Sequence, residues 1–239
     1  MPIVRAGSRL LYFAHVPKCG GDSVERYLEG RFGLPALLDR KYLDRPPAET
    51  ATRVSPQHLT AAQLAAVFPP GFFDASFALI RHPVARMVSE YQYDVRLRAL
   101  RPAPGFGTWL REARELARQD PGARDNHLLP QTAFLPDRDT ALFPLEDGMA
   151  PLIAWLDRVT GTVAPRLRVP HANRGTRAAD AAAADLAGPA EIAIIADWFA
   201  ADFDRFGYPP GLPDASAAPH RSWWQAARDR WRTLRRRRP

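Results

Sequence analysis

Between Leu10 and Glu25 the chain changes character three times, and that change sets its fold class. Leu10-Leu11-Tyr12-Phe13-Ala14 is a short apolar run with aromatics, which reads as a buried strand. His15-Val16-Pro17-Lys18-Cys19-Gly20-Gly21 cannot continue that strand and reads as a turn. Asp22 then offers a helix cap, Glu25 stands three residues on as in a capping box, and Val24, Tyr27 and Leu28 share one helical face. The order is strand, glycine loop, helix. It recurs in outline at Phe77-Ala78-Leu79-Ile80, which runs through Arg81-His82 to Pro83 at the first position of a helix. Val84, Met87, Val88, Tyr91 and Val95 follow at helical spacing. Further helices are expected from Thr60 to the Pro69-Pro70-Gly71 stop and over about 108–118, 148–159 and 190–205. The Ala/Asp-rich segment 178–187 reads as a helix or a surface loop. Strands alternating with helices predict an α/β fold, a mainly parallel sheet flanked by helices.

A strand that exits through glycines into a helix is suited to binding an anion. The first amides of the helix have no intrahelical acceptor, and the helix dipole favours negative charge there. Glycines let the backbone come close. Lys18 adds a full charge and Ser23 a hydroxyl. The Walker A loop of nucleoside triphosphatases places its lysine after the glycines. Here Lys18 precedes Gly20-Gly21, and no GK[ST] occurs anywhere.

The string His15-Val16-Pro17-Lys18-Cys19-Gly20-Gly21-Asp22-Ser23 resembles the 5′-phosphosulfate loop of sulfotransferases that use 3′-phosphoadenosine 5′-phosphosulfate, most of all the carbohydrate O-sulfotransferases of the 2-O-sulfotransferase-like, bacterial-type branch. Asp22 stands where that branch often has threonine. A second segment, Phe77 to Pro83 with Arg86, Ser89, Tyr91 and Tyr93, is similar to the 3′-phosphate segment of the same family. Read alone, each segment also fits a plain turn; it is the pair that argues for a doubly phosphorylated donor. Later landmarks are Asn126-His127 with Pro130-Gln131, Leu145-Glu146, and Asp202-Phe203 with Phe206-Gly207-Tyr208. The resemblance covers roughly residues 9–209. It implies a P-loop-like three-layer fold. Pro17, Lys18, Cys19, Gly20, Gly21, Asp22 and Ser23 would cradle the 5′-phosphosulfate, and Arg81 and Ser89 would grip the 3′-phosphate. Arg174, in the basic loop 170–177, would form a lid. No metal is implied.

Transfer to a hydroxyl needs a base, and histidine titrates in the useful range. Of six histidines, His58 in Ser55-Pro56-Gln57-His58-Leu59, expected after a strand and before a helix, resembles the family's base segment, with Gln57 replacing the usual glycine. His127 is the second candidate; His15 and His82 sit inside the phosphate motifs and read as structural. Lys18 is expected to stabilise the leaving phosphate. Cys19, the only cysteine, excludes an internal disulfide; its place near Lys18 and a helix start predicts a lowered thiol pKa and ready oxidation.

At 239 residues the chain is long enough for one large domain with a core of its own. The net charge of +7 sits wholly in the last twenty residues, which hold eight arginines and one acid; the remainder is formally neutral. The expected organisation is a sulfotransferase domain over 1–208, a linker over 209–219 and a basic tail over 220–239. In that tail Trp224, Ala227, Trp231 and Leu234 make one helical stripe opposite arginines, which reads as a segment for an anionic membrane surface. With no apolar run of membrane-spanning length, a cytoplasmic protein, peripheral on the inner membrane face, is expected. The expected partners are a carbohydrate or glycolipid acceptor, and no nucleic acid. Two rival readings are a P-loop-like nucleotide kinase and a non-enzymatic polyanion- or nucleic-acid-binding module built on the tail.

Overall fold

The computed structural model describes residues 2–50, 52–97, 102–136, 139–163 and 185–211. Arg174, the basic loop around it, most of the 209–219 linker and the 220–239 tail lie outside these residues.

Among the described residues four strands form one sheet in the order β1 (Ile3–Ala6), β2 (Arg9–Ala14), β3 (Ala75–Ile80), β4 (Ala141–Pro144). β1 pairs antiparallel with β2 through the turn at Gly7, and β2, β3 and β4 run parallel. The two strands read from the sequence are therefore central neighbours, in register from Leu11 opposite Ala75 to Ala14 opposite Ala78. Leu11 to Ala14 and Phe77 to Ile80 are buried on both faces, the mark of a parallel sheet covered by helices on each side. The α/β fold class is as expected. The two edge strands were not expected; each has only four residues, too few to show a period.

Among the described residues seven helices accompany the sheet: α1 (Gly21–Phe32), α2 (Ala61–Ala65), α3 (Pro83–Leu97), α4 (Phe106–Gln119), α5 (Ala150–Thr160), α6 (Pro189–Trp198) and α7 (Ala200–Phe206). The segment from Thr60 makes little more than one helical turn, capped by a reciprocal Thr60–Gln63 box. One core packs the sheet against α1 and α5; Phe13 stacks on Phe77 at 5.0 Å. Each such ring contributes about 1.5–3 kcal/mol by leaving water. A second core joins α3, α4 and α6 around Trp109, Leu110, Ile195 and Phe199. Among the described residues no helix is long and apolar enough to cross a membrane.

Parallel pairing has a functional consequence. β2 feeds α1 and β3 feeds α3, so both strand exits lie side by side at one edge of the sheet. Ligands in open α/β sheets bind at such carboxyl ends.

Candidate active site

The first exit is the loop from Val16 to Gly20. Lys18 and Gly20 both have positive φ, 66° and 82°. The left-handed residue at Gly20 is the N-cap of α1, with no side-chain cap. The sequence expectation that Asp22 caps this helix is therefore corrected. Asp22 lies exposed in the first turn, where the helix dipole still favours its charge, and Glu25 turns inward to His15 instead of closing a capping box. Gly21 is glycine for a steric reason: a Cβ there would sit 1.7 Å from His15 Nε2. His15 cannot easily give way, because its Nδ1 is 2.6 Å from buried Glu25 Oε1 and its ring stacks on Phe13.

The Lys18 ammonium lies 3.9 Å from the centroid of the Tyr93 ring, on α3. Burial lowers its pKa, and Glu90 and Asp22 work against that loss. Cys19 points inward, with Sγ 3.4 Å from Gln131 Oε1. Burial pushes its thiol up to about 12, so the expected reactive cysteine is corrected to an inert one.

The second exit carries Arg81, which is buried and whose Nη1 donates to the Lys18 carbonyl at 3.4 Å. The structure thus brings the two sequence-predicted phosphate segments into contact. Its backbone is fixed by Gln131, which accepts from Arg81 N at 2.9 Å and donates to Arg81 O at 2.8 Å. Gln131 and Thr132 in turn donate their amides to Asp202, at 2.9 and 3.0 Å. Glu146 accepts from His82 N at 2.7 Å and from the Tyr208 hydroxyl at 3.1 Å. Burial raises the pKa of both acids. Of the later landmarks noted in the sequence, Gln131, Glu146, Asp202 and Tyr208 are thus the supports of the Arg81–His82 turn. Ser89 lies two turns into α3, partly exposed. Arg86 is fully buried and donates to the carbonyls of His127 and Leu129.

His58 ends a 3-10 turn, Pro56–His58, ahead of α2; the described residues 52–55 that lead into it form no strand, contrary to expectation. Gln57 faces away, bonded to the backbone of Asp39. The buried His58 ring lies between two others, 4.7 Å from His15 and 4.9 Å from His127, both edge-on. Each ring has its own carboxylate at Nδ1: Glu25 for His15, Asp125 at 2.7 Å for His58, Glu90 at 2.8 Å for His127. Burial drives the His58 pKa well below its ordinary value; His15 and His127 push the same way, and Asp125 opposes them. Burial alone would raise the Asp125 carboxyl, but bonds from His58 and Ser55 outweigh it and hold it low. Glu90 is held low by His127, Lys18 and Arg86 against the same effect of burial.

Asp125 was not singled out in the sequence. It comes from a left-handed turn in which Arg124, Asp125 and Asn126 have φ of 52°, 58° and 63°. Left-handed backbone costs about 1–2 kcal/mol per ordinary residue, less for Asp and Asn. The turn holds His58 twice, by the Asp125 carboxylate on its ring and by Asn126 Nδ2 on its carbonyl at 2.9 Å. Arg124 anchors the turn to Asp94 at 3.2 Å. Among the described residues, His58, Asp125 and His127 could offer a metal three ligand atoms within 4.8 Å of one another. The 2.7 Å between His58 Nδ1 and Asp125 Oδ2 is hydrogen-bond length, a contact that a shared proton accounts for.

Two adjacent strand exits thus bring a lysine and an arginine together, and a carboxylate-backed histidine lies against the His15 ring of the first exit. The sulfotransferase family model matches residues 1–209, and the chain belongs to that family. Nothing among curated proteins or solved structures matches it.

Proposed function

We propose that the protein transfers a sulfuryl group from 3′-phosphoadenosine 5′-phosphosulfate to a hydroxyl of a carbohydrate or glycolipid. The observation that carries this reading is the contact between the two strand exits, Arg81 Nη1 to Lys18 O at 3.4 Å. A guanidinium fork next to a glycine-rich helix start offers two kinds of phosphate-binding group side by side, which supports a nucleotide with phosphates at both 3′ and 5′. The donor supplies the activated sulfuryl group; this chain's residues bind, orient and move protons. Amides at the start of α1 hold the 5′ end, Arg81 and Ser89 the 3′-phosphate, and Lys18 neutralises charge developing on the leaving oxygen. His58, neutral at physiological pH, takes the acceptor proton on Nε2. A positioned charge of the Lys18 kind is worth about 3–4 kcal/mol, and a base about 10²–10⁴-fold.

Radiosulfur-labelled donor, offered with a panel of polysaccharide and glycolipid acceptors, tests the reaction. Label should enter an acceptor in the wild type and be lost in Lys18→Ala and His58→Ala. Transfer of phosphate from ATP to the same acceptors, with no transfer of label, would replace this reading with the kinase. In the same reading the 220–239 tail holds the enzyme at an anionic membrane surface. Its deletion should remove vesicle binding and leave transfer to a soluble acceptor intact.

A further inference from the structure

Resting on the reading of His58 as the base, we infer that Asp125 is its positioning residue: it holds the imidazole proton on Nδ1 and so turns the Nε2 lone pair to the acceptor hydroxyl. The geometry is specific about which oxygen does what. Asp125 Oδ1 accepts the Ser55 main-chain amide at 2.5 Å. Asp125 Oδ2 accepts both the Ser55 hydroxyl at 2.6 Å and His58 Nδ1 at 2.7 Å. An ionised carboxylate can only accept, so the proton between Asp125 and the ring belongs to Nδ1. Neutral imidazole has one proton, which leaves Nε2 as the acceptor. The left-handed turn at 124–126 exists at a cost in backbone strain, and its Asp125 and Asn126 side chains both bind His58. Strain of this kind persists where the surroundings over-determine it, as at a working site.

The same geometry dictates what Asp125→Asn does. The Ser55 amide is a main-chain donor and must face an acceptor, so the asparagine oxygen takes the Oδ1 place. Its NH₂ group then takes the Oδ2 place, with one hydrogen for the Ser55 hydroxyl and one for His58 Nδ1. A donor at Nδ1 moves the ring proton to Nε2, and the base is lost although every hydrogen bond is made. Asparagine also tolerates left-handed φ, so the turn survives. Asp125→Ala instead leaves His58 Nδ1 with the Ser55 hydroxyl at 3.2 Å, which can donate or accept and so permits either tautomer.

The two variants therefore rank in an order that a structural role would reverse. With radiosulfur-labelled donor, kcat should fall about 10²–10⁴-fold in Asp125→Asn and by less in Asp125→Ala, with acceptor KM little changed in either. Thermal unfolding should show Asp125→Asn to be the more stable of the two. Nitrogen NMR of labelled histidine, read on the whole protein without any substrate, should show the His58 proton on Nδ1 in the wild type and on Nε2 in Asp125→Asn. A wild-type proton on Nε2, or an unchanged tautomer in the asparagine variant, overturns the inference. So does a kcat in Asp125→Asn equal to or above that in Asp125→Ala. An inverted tautomer with unaffected transfer overturns the inference by removing His58 as the base, whereas an unchanged tautomer overturns it by removing Asp125 as the proton's anchor; the two failures are thus separable.

Discussion

Replacing Gly21 with alanine should cost far more than a methyl group usually does. The new Cβ would lie 1.7 Å from His15 Nε2 and 2.2 Å from its Cδ2. Ordinary contact is about 3.5–4 Å, so the ring must retreat by roughly 2 Å. The 2.6 Å bond from His15 Nδ1 to Glu25 Oε1 cannot survive that shift. Stranding the partner of a buried hydrogen bond costs about 1–3 kcal/mol, and the displaced ring must also find new packing. Gly21 is the first helical residue, so alanine's better propensity, about 1 kcal/mol in a helix interior, returns only part of that, leaving a net loss of about 1–2 kcal/mol. Because the His15 ring also touches His58 edge-on, transfer activity should fall with it. Denaturant unfolding of Gly21→Ala beside Gly105→Ala is the assay. Gly105 is the control, since a Cβ there meets nothing within 4 Å. The double variant Gly21→Ala/His15→Ala should be less destabilised than the sum of the singles, because the clash is gone. Equal, small losses at Gly21 and Gly105 would refute the claim that His15 dictates this glycine.

The depressed pKa of His58 bears on both activity and stability. As His58 is neutral well below the ordinary value of 6.5, a His58 base puts the acidic limb of kcat/KM below that pH. The unfolded chain protonates His58 near 6.5 and the folded one does not, so this residue's contribution to stability is complete above that pH and is lost as pH falls toward the folded value. A limb at or above 6.5 would remove His58 as the titrating group. Cys19 should resist alkylation at neutral pH until the protein unfolds; rapid labelling of the native state would contradict its burial. Asp202→Ala should cost about 1–3 kcal/mol by stranding the buried amide of Gln131, with the half-buried amide of Thr132 also losing its acceptor. A loss within about 0.5 kcal/mol, the usual range for a surface site, would show that Asp202 does not hold this turn.

What could be read beforehand was local. The apolar runs at 10–14 and 77–80, each breaking into a turn and then a helix, gave two strand exits; parallel pairing made them neighbours. What stayed hidden was long-range. Glu25 looks like a capping residue because it stands three after Asp22, yet its partner is His15 across the loop. Asp125 reaches His58 over 67 positions, and no period or motif in a single sequence links them. The adjoining Asp125-Asn126 pair was the available hint, being the residues that best tolerate left-handed backbone. Cys19 misled for a related reason: its neighbours in sequence promise a low pKa, while burial, which depends on the whole fold, decides the opposite.

Calorimetric titration with adenosine 3′,5′-bisphosphate tests the central claim most directly, because it asks whether one nucleotide spans both strand exits. Binding should exceed that of adenosine 5′-phosphate and of ATP, and it should collapse in Lys18→Ala. In Arg81→Ala the preference for the 3′-phosphorylated nucleotide should vanish, leaving weak binding to all three. Equal or tighter binding of ATP in the wild type would contradict the account.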